Sequence, residues 1–174
     1  MHLFRGGAFA YMRYYMNSKN MYRFLYHLFD GVTPIYEDCG IICSAACCKG
    51  DNKTGMLLFP NEQTTLNVIE KNGVRLAVCS GSCQREDRPL SCRIFPFFPA
   101  IDNNGELIVS VDSRAYNICP LARNHNEVRF DPLFIRHVKI AGKIMIKDPE
   151  CKKFIEEISK EIEDINLAQK MLIE

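Results

Sequence analysis

Apolar and polar positions alternate with two different periods along this chain, and each period marks out its elements. In the last third, Phe154, Ile155, Ile158, Ile162 and Ile165 recur at helical spacing and are opposed by Lys152, Lys153, Glu156, Glu157, Lys160 and Glu161. That pattern predicts a helix with one buried stripe and one solvated face laced with short-range ion pairs. The stripe is core packing first and a dimer face second. Asp148-Pro149 caps this helix, and Asp131-Pro132 caps another running to about Lys147. In both, an aspartate precedes a proline suited to the first helical position.

Earlier in the chain the period shortens to two. Val74, Leu76 and Val78 alternate with Arg75 and Ala77, a half-buried strand that delivers Cys79 at its end. A hairpin is predicted at Asp102-Asn103-Asn104-Gly105, joining Phe95–Ile101 to Glu106–Asp112. Met56-Leu57-Leu58-Phe59 is a short buried strand stopped by Pro60. Asn61 caps a short helix with Leu66, Val68 and Ile69 on its apolar side, before the Asn72-Gly73 turn. From Asn20, a candidate cap, Met21, Leu25, Leu28 and Phe29 form one helical face that stops at Asp30-Gly31. Residues 112–130 read as a loop. Residues 1–20, aromatic and broken by Gly6-Gly7, read as a leader or poorly ordered arm. The expected architecture is α+β: a small cysteine-rich domain over 21–174 with a short antiparallel sheet, an N-terminal helix and a C-terminal helical part over 131–172.

Charge changes this picture little. Lysine and arginine number 22 against 21 aspartates and glutamates, and a net charge of +1 gives no reason to expect nucleic acid or an anionic membrane surface as partner. No apolar run approaches the ~18 residues of a transmembrane helix, and the expected setting is cytoplasmic.

The cysteines change it a great deal. Of nine, four fall within ten positions, in Asp38-Cys39-Gly40-Ile41-Ile42-Cys43-Ser44-Ala45-Ala46-Cys47-Cys48-Lys49. Cys79-Ser80-Gly81-Ser82-Cys83 supplies a second pair, and Cys92 and Cys119 are single. In a reducing compartment such clusters are metal ligands or redox groups rather than disulfides, and an odd count fits a fully paired framework badly. Thiolates suit zinc and iron–sulfur clusters, because a soft sulfur both donates to the metal and neutralises its charge. If the first stretch is helical, Cys39, Cys43 and Cys47 share one face. Cys48 then serves a neighbouring centre, or the same one from a helix end. Four thiolates on a divalent ion leave excess negative charge, so Lys49, Arg93 and Arg123 are expected close to the sulfurs, with Arg88 and Arg93 as supports and Phe95, Phe97 and Phe98 as an apolar lid. Cys151 stands outside every cluster and reads as packing. The histidines and scattered carboxylates form no constellation for acid–base or nucleophilic work.

The run Cys39-x3-Cys43-x3-Cys47-Cys48, with Arg88-Pro89-x-x-Cys92-Arg93-x-Phe95-Pro96 and Cys119-Pro120, resembles the YkgJ-type family of zinc- or iron-chelating proteins, known by its CxxCxxxCC motif. The resemblance covers roughly residues 36–120, and the first gap here is one residue longer than in the motif. It implies metal ligation by Cys39, Cys43, Cys47, Cys48 and Cys92, with Cys79, Cys83 and Cys119 as further ligands. The implied cofactor is zinc or an iron–sulfur cluster. Two four-thiolate sites, a four-iron cluster with a zinc site, and one cluster with supporting thiols are all open at this stage. So are two roles: a metal-holding module with a protein partner or homodimer through the C-terminal helix, and an iron–sulfur oxidoreductase or metal-dependent transferase.

Overall fold

The Asn72-Gly73 pair makes a two-residue hairpin. Both residues have positive φ, 54° and 77°, the backbone that matches strand twist and that asparagine and glycine adopt at least cost. Lys71 therefore faces Val74, and β2 (Val68–Lys71) pairs antiparallel with β3 (Val74–Val78). On the other side of β3 lies β1 (Gly55–Leu57), giving the order β1-β3-β2. These elements belong to a computed structural model that describes residues 18–50, 55–79, 81 and 83–172. The leader expected over 1–20 lies outside the described residues as far as residue 17.

A second, two-stranded sheet pairs β4 (Phe97–Ile101) with β5 (Leu107–Val111). Its connection is held by the Asp102 carboxylate, which accepts from the backbone N–H groups of Asn104 and Glu106 at 2.9 and 2.8 Å. The chain is α+β, as expected, with its strands divided between two small antiparallel sheets.

Six α-helices and three short 3-10 turns complete the elements among the described residues, the α-helices being α1 (Ser18–Leu28), α2 (Cys39–Cys43), α3 (Leu90–Ile94), α4 (Pro120–Arg123), α5 (Pro132–Met145) and α6 (Pro149–Met171). The Asp131 side chain accepts from Leu133 N, and that of Asp148 accepts from Glu150 N and Cys151 N, so both expected caps form. Ile155, Ile158 and Ile162 of α6 are buried, while Lys152–Glu156 and Lys153–Glu157 pair along its outer face. The stripe packs against β4 as core.

Aromatic rings join the layers. Phe29 meets Phe134 edge-on at 5.7 Å, Phe97 meets Phe130 at 4.7 Å, and Phe59 stacks on Phe98 at 6.0 Å. Helix α5 lies so close to the second sheet that a Cβ on Gly142 would stand 2.7 Å from the Pro99 Cβ and 3.1 Å from Leu107. Alanine is the better helix former by about 1 kcal/mol, but here the clash outweighs propensity. Gly142→Ala is expected to lower stability by about 1–2 kcal/mol, read from denaturant unfolding, and a stabilised variant would show that the helix can back away.

Three expectations are corrected. Residues 61–69 do not form a helix: Val68 and Ile69 enter β2, because hairpin pairing at Asn72-Gly73 recruits them and the β-branched pair Thr64-Thr65 gives little helix support. The strand expected over 95–101 starts at Phe97, and α3 precedes it. The loop over 112–130 holds a 3-10 turn at Ser113–Ala115 as well as α4.

Candidate metal centre

Asp38 starts the first cysteine segment by accepting from Gly40 N at 2.9 Å, which caps α2. The four-residue cysteine period then breaks. Ser44 and Ala45 both adopt left-handed backbone, φ 50° and 53°, ending the helix after Cys43 and turning the chain into a 3-10 turn, Ala46–Cys48. Cys47 is therefore re-aimed rather than stacked above Cys43.

The other ligand candidates arrive on unrelated elements. Cys79 follows β3, Cys83 lies beyond Gly81 (φ 99°), Cys92 is in α3, and Cys119 precedes the first residue of α4. Together they surround two adjoining cavities. A space of about 20 Å3 is bordered by Cys39, Cys43, Cys47 and Cys119. A second, of about 40 Å3, is bordered by Cys48, Cys79, Cys83 and Cys92 and also by Cys47, which lines both. Phe95 walls both. Phe97 and Phe98 pack in the aromatic core instead, so of the three expected lid residues Phe95 borders the sulfurs, joined by Pro96 and Ile118 at the first cavity and by Met56 and Leu66 at the second.

Charge interactions run mainly within each set, although Arg88 also acts on Cys39 and Asp38 on Cys48. The Cys39 thiol is pushed up to about 11 by burial, with Asp38, Cys119 and Cys43 adding to the effect. Burial likewise raises Cys119, against the backbone amides of Ala122 and Leu121 that face its sulfur. In the second set burial raises Cys92 and Cys83, and each feels Cys79 and Cys48. Between the sets, a hydrogen bond within the adjacent pair holds the Cys47 proton and draws Cys48 down to about 6, with Arg88 assisting.

Arg88 is the cation of the second set. It borders the cavity, and its charge is felt at Cys48, Cys83 and Cys92. Burial works against that charge, but the Cys83 interaction and the neighbouring sulfurs outweigh it and raise its pKa. Arg123 donates to the carbonyls of Tyr116 and Asn117 at 3.0 and 3.4 Å, and its charge reaches Cys119. Lys49 follows Cys48 and is exposed. Arg93 has a different occupation. Its guanidinium donates to the carbonyls of Arg88, Arg85, Glu86 and Tyr26 and lies 4.7 Å over the Tyr26 ring. It pins the segment that carries Arg88 to α1 and acts on the sulfurs only through that segment.

Glu62, which no sequence pattern singled out, holds the site from behind. It is fully buried, and its carboxylate accepts from Leu90 N at 2.6 Å, Tyr26 Oη at 2.8 Å and Phe59 N at 3.0 Å. Leu90 begins the helix that bears Cys92. The Ser91 hydroxyl donates to the Leu57 carbonyl, tying the same helix to β1. Cys151 lies outside both sets, buried 3.5 Å from the Tyr22 hydroxyl.

The donor chemistry fits a thiophilic metal, and one further observation agrees with it. The Nε of Arg88 is a buried donor with no partner, and an anionic sulfur site is what such a donor would satisfy. The spacing is looser: among the described residues, no three His, Cys, Asp or Glu side chains stand as they would around an ion. The thiols would have to draw in. Comparison of the chain with protein-family models, with curated proteins and with solved structures finds no match.

Proposed function

We propose that this is a metal-binding protein of the YkgJ type, which holds zinc through two sets of four cysteine thiolates: Cys39, Cys43, Cys47 and Cys119, and Cys48, Cys79, Cys83 and Cys92. The observation that carries this reading is the gathering of eight scattered cysteines around two small cavities, four at the first and five at the second, with Cys47 common to both. Spaces of about 20 and 40 Å3 suit single ions, since one water-sized sphere needs about 10–15 Å3. Four protein sulfurs per ion leave no open coordination position, which makes each site structural. Bound metal would supply cross-links between α2, β3, α3 and α4. The working compartment is the reducing cytoplasm, where the thiols stay available. No helix among the described residues is long and apolar enough to cross a membrane. A protein partner would meet the outer end of α6, where Leu167, Met171 and Leu172 are exposed.

A second reading, an iron–sulfur oxidoreductase or metal-dependent transferase, draws on one feature. A groove of about 430 Å3, lined by Ile35, Glu37, Ile42, Leu121 and Arg129 among others, opens beside the first set. Elemental analysis and an absorption spectrum on protein purified without oxygen separate the two. Colourless protein with about two zinc ions per chain is the expected result. A band near ~400 nm with stoichiometric iron would install the second reading. Metal-free protein with paired thiols would defeat both.

A further inference from the structure

We propose that Cys47 and Cys48 couple the two thiol sets, so that they take up metal as one cooperative two-ion unit. This rests on the zinc reading above.

The two sulfurs belong to different sets but to one short 3-10 turn, and Cys47 borders both cavities. That turn is a stiff unit. Cys48 N donates to Ala45 O at 2.8 Å, Lys49 N to Ala46 O at 3.2 Å and Gly50 N to Cys48 O at 3.0 Å. On its far side it is seated on the second set, with the Cys79 thiol donating to Cys48 O at 3.4 Å. On its near side the left-handed pair Ser44-Ala45 forms the joint to α2.

As the sulfurs stand, neither set is drawn in around an ion, so each must contract to bind one. Contraction of the first set carries Cys47 toward Cys39, Cys43 and Cys119, and Cys48 moves with it as the next residue of the same turn. Because the turn moves as one body about the Ser44-Ala45 joint, the ion that closes one set fixes the placement of both Cys47 and Cys48, and the other set then closes on a sulfur already held in place. A shared ordering cost of this kind yields positive cooperativity, and by linkage the effect is equal in both directions.

Zinc(II) titration followed by native mass spectrometry, with a chromophoric chelator as competitor, tests this on the full chain. With one equivalent of zinc the wild type should divide between metal-free and two-zinc forms, the one-zinc form holding less than about a quarter of the molecules for a tenfold coupling. Cys43→Ser, at the half-exposed end of α2, leaves the second set complete. It should bind its ion about tenfold more weakly than the wild type binds its second. Cys79→Ser should weaken the first set by the same factor. Circular dichroism of each metal-free variant checks that the fold is kept. If the intact set of either variant binds as tightly as in the wild type, the coupling is wrong and two independent sites remain. If the wild type takes no zinc, the zinc reading itself fails.

Discussion

Glu62→Ala is expected to lower the stability of the chain by about 3–5 kcal/mol, or about 10 °C in the melting temperature for a domain of this size. The reason is the accounting of donors. Leu90 N, Phe59 N and the Tyr26 hydroxyl all point at this one fully buried carboxylate. Alanine leaves the Leu90 and Phe59 amides without a partner, restricts the Tyr26 hydroxyl to its longer contact with Gln63 O at 3.4 Å and adds a cavity, and each orphaned buried donor costs about 1–3 kcal/mol. Glu62→Gln keeps one acceptor and turns an N–H toward a donor, so a smaller loss of about 1–3 kcal/mol is expected.

The difference between wild type and Glu62→Gln also depends on pH. Burial raises the Glu62 pKa, and the three donors only partly oppose it. The folded chain therefore binds this proton more tightly than the unfolded one. The contribution is full below the ordinary carboxyl range near about pH 4, and it shrinks as pH rises through the folded pKa. A wild-type advantage that grows from about pH 4 to pH 7 would reverse the sign argued here. Because Leu90 opens the helix bearing Cys92, the alanine variant should also expose that thiol to alkylation faster. A melting curve overlying that of the wild type would mean that Glu62 does not hold α3.

Features set by neighbours in sequence were the ones that could be read from it. Asn72-Gly73 and the Asp102–Gly105 connection are local turns, and Asp131-Pro132 and Asp148-Pro149 are local caps, so each forms where the residues require. The stripe of α6 needed only its own periodicity. What escaped depends on distant partners. Val68 and Ile69 serve a helix or a strand equally well until β3 pairs with them. Glu62 is one carboxylate among many until Leu90 and Tyr26 close over it. Arg93 follows Cys92 directly and has the right charge for a sulfur site, yet five backbone and side-chain acceptors reached only in the fold claim its guanidinium. The eight candidate cysteines could be named from their pattern. Their division could not, because it depends on Ser44 and Ala45 adopting left-handed backbone, a conformation that neither residue type advertises.

The seat of the cysteine turn on β3 carries the other large effect. A Cβ on Gly50 would stand 1.7 Å from the Cys79 carbonyl oxygen and 2.6 Å from its carbon, and both are main-chain atoms that no rotamer change can move aside. Gly55 is also close to its neighbours, with a Cβ placed 2.3 Å from Ala77 O. Gly50 thus lies directly against Cys79, and Gly55 against Ala77 and Val78. Gly50→Ala must separate the turn from the strand, breaking the contact of the Cys79 thiol with Cys48 O. The expected cost is about 3 kcal/mol, at the upper end for overpacking because backbone rather than side chains must give way. Gly73→Ala is the control. It has no atom within 4 Å of the new methyl and only its φ of 77° to oppose it, so it should cost about 1 kcal/mol. Denaturant unfolding of the two metal-free variants compares these losses directly. Zinc analysis then asks whether Gly50→Ala, with Cys48 and Cys79 forced apart, loses the ion of the second set. Equal losses for the two glycines would show that the turn is not seated on Cys79, and would remove the physical basis for placing Cys48 with Cys79, Cys83 and Cys92.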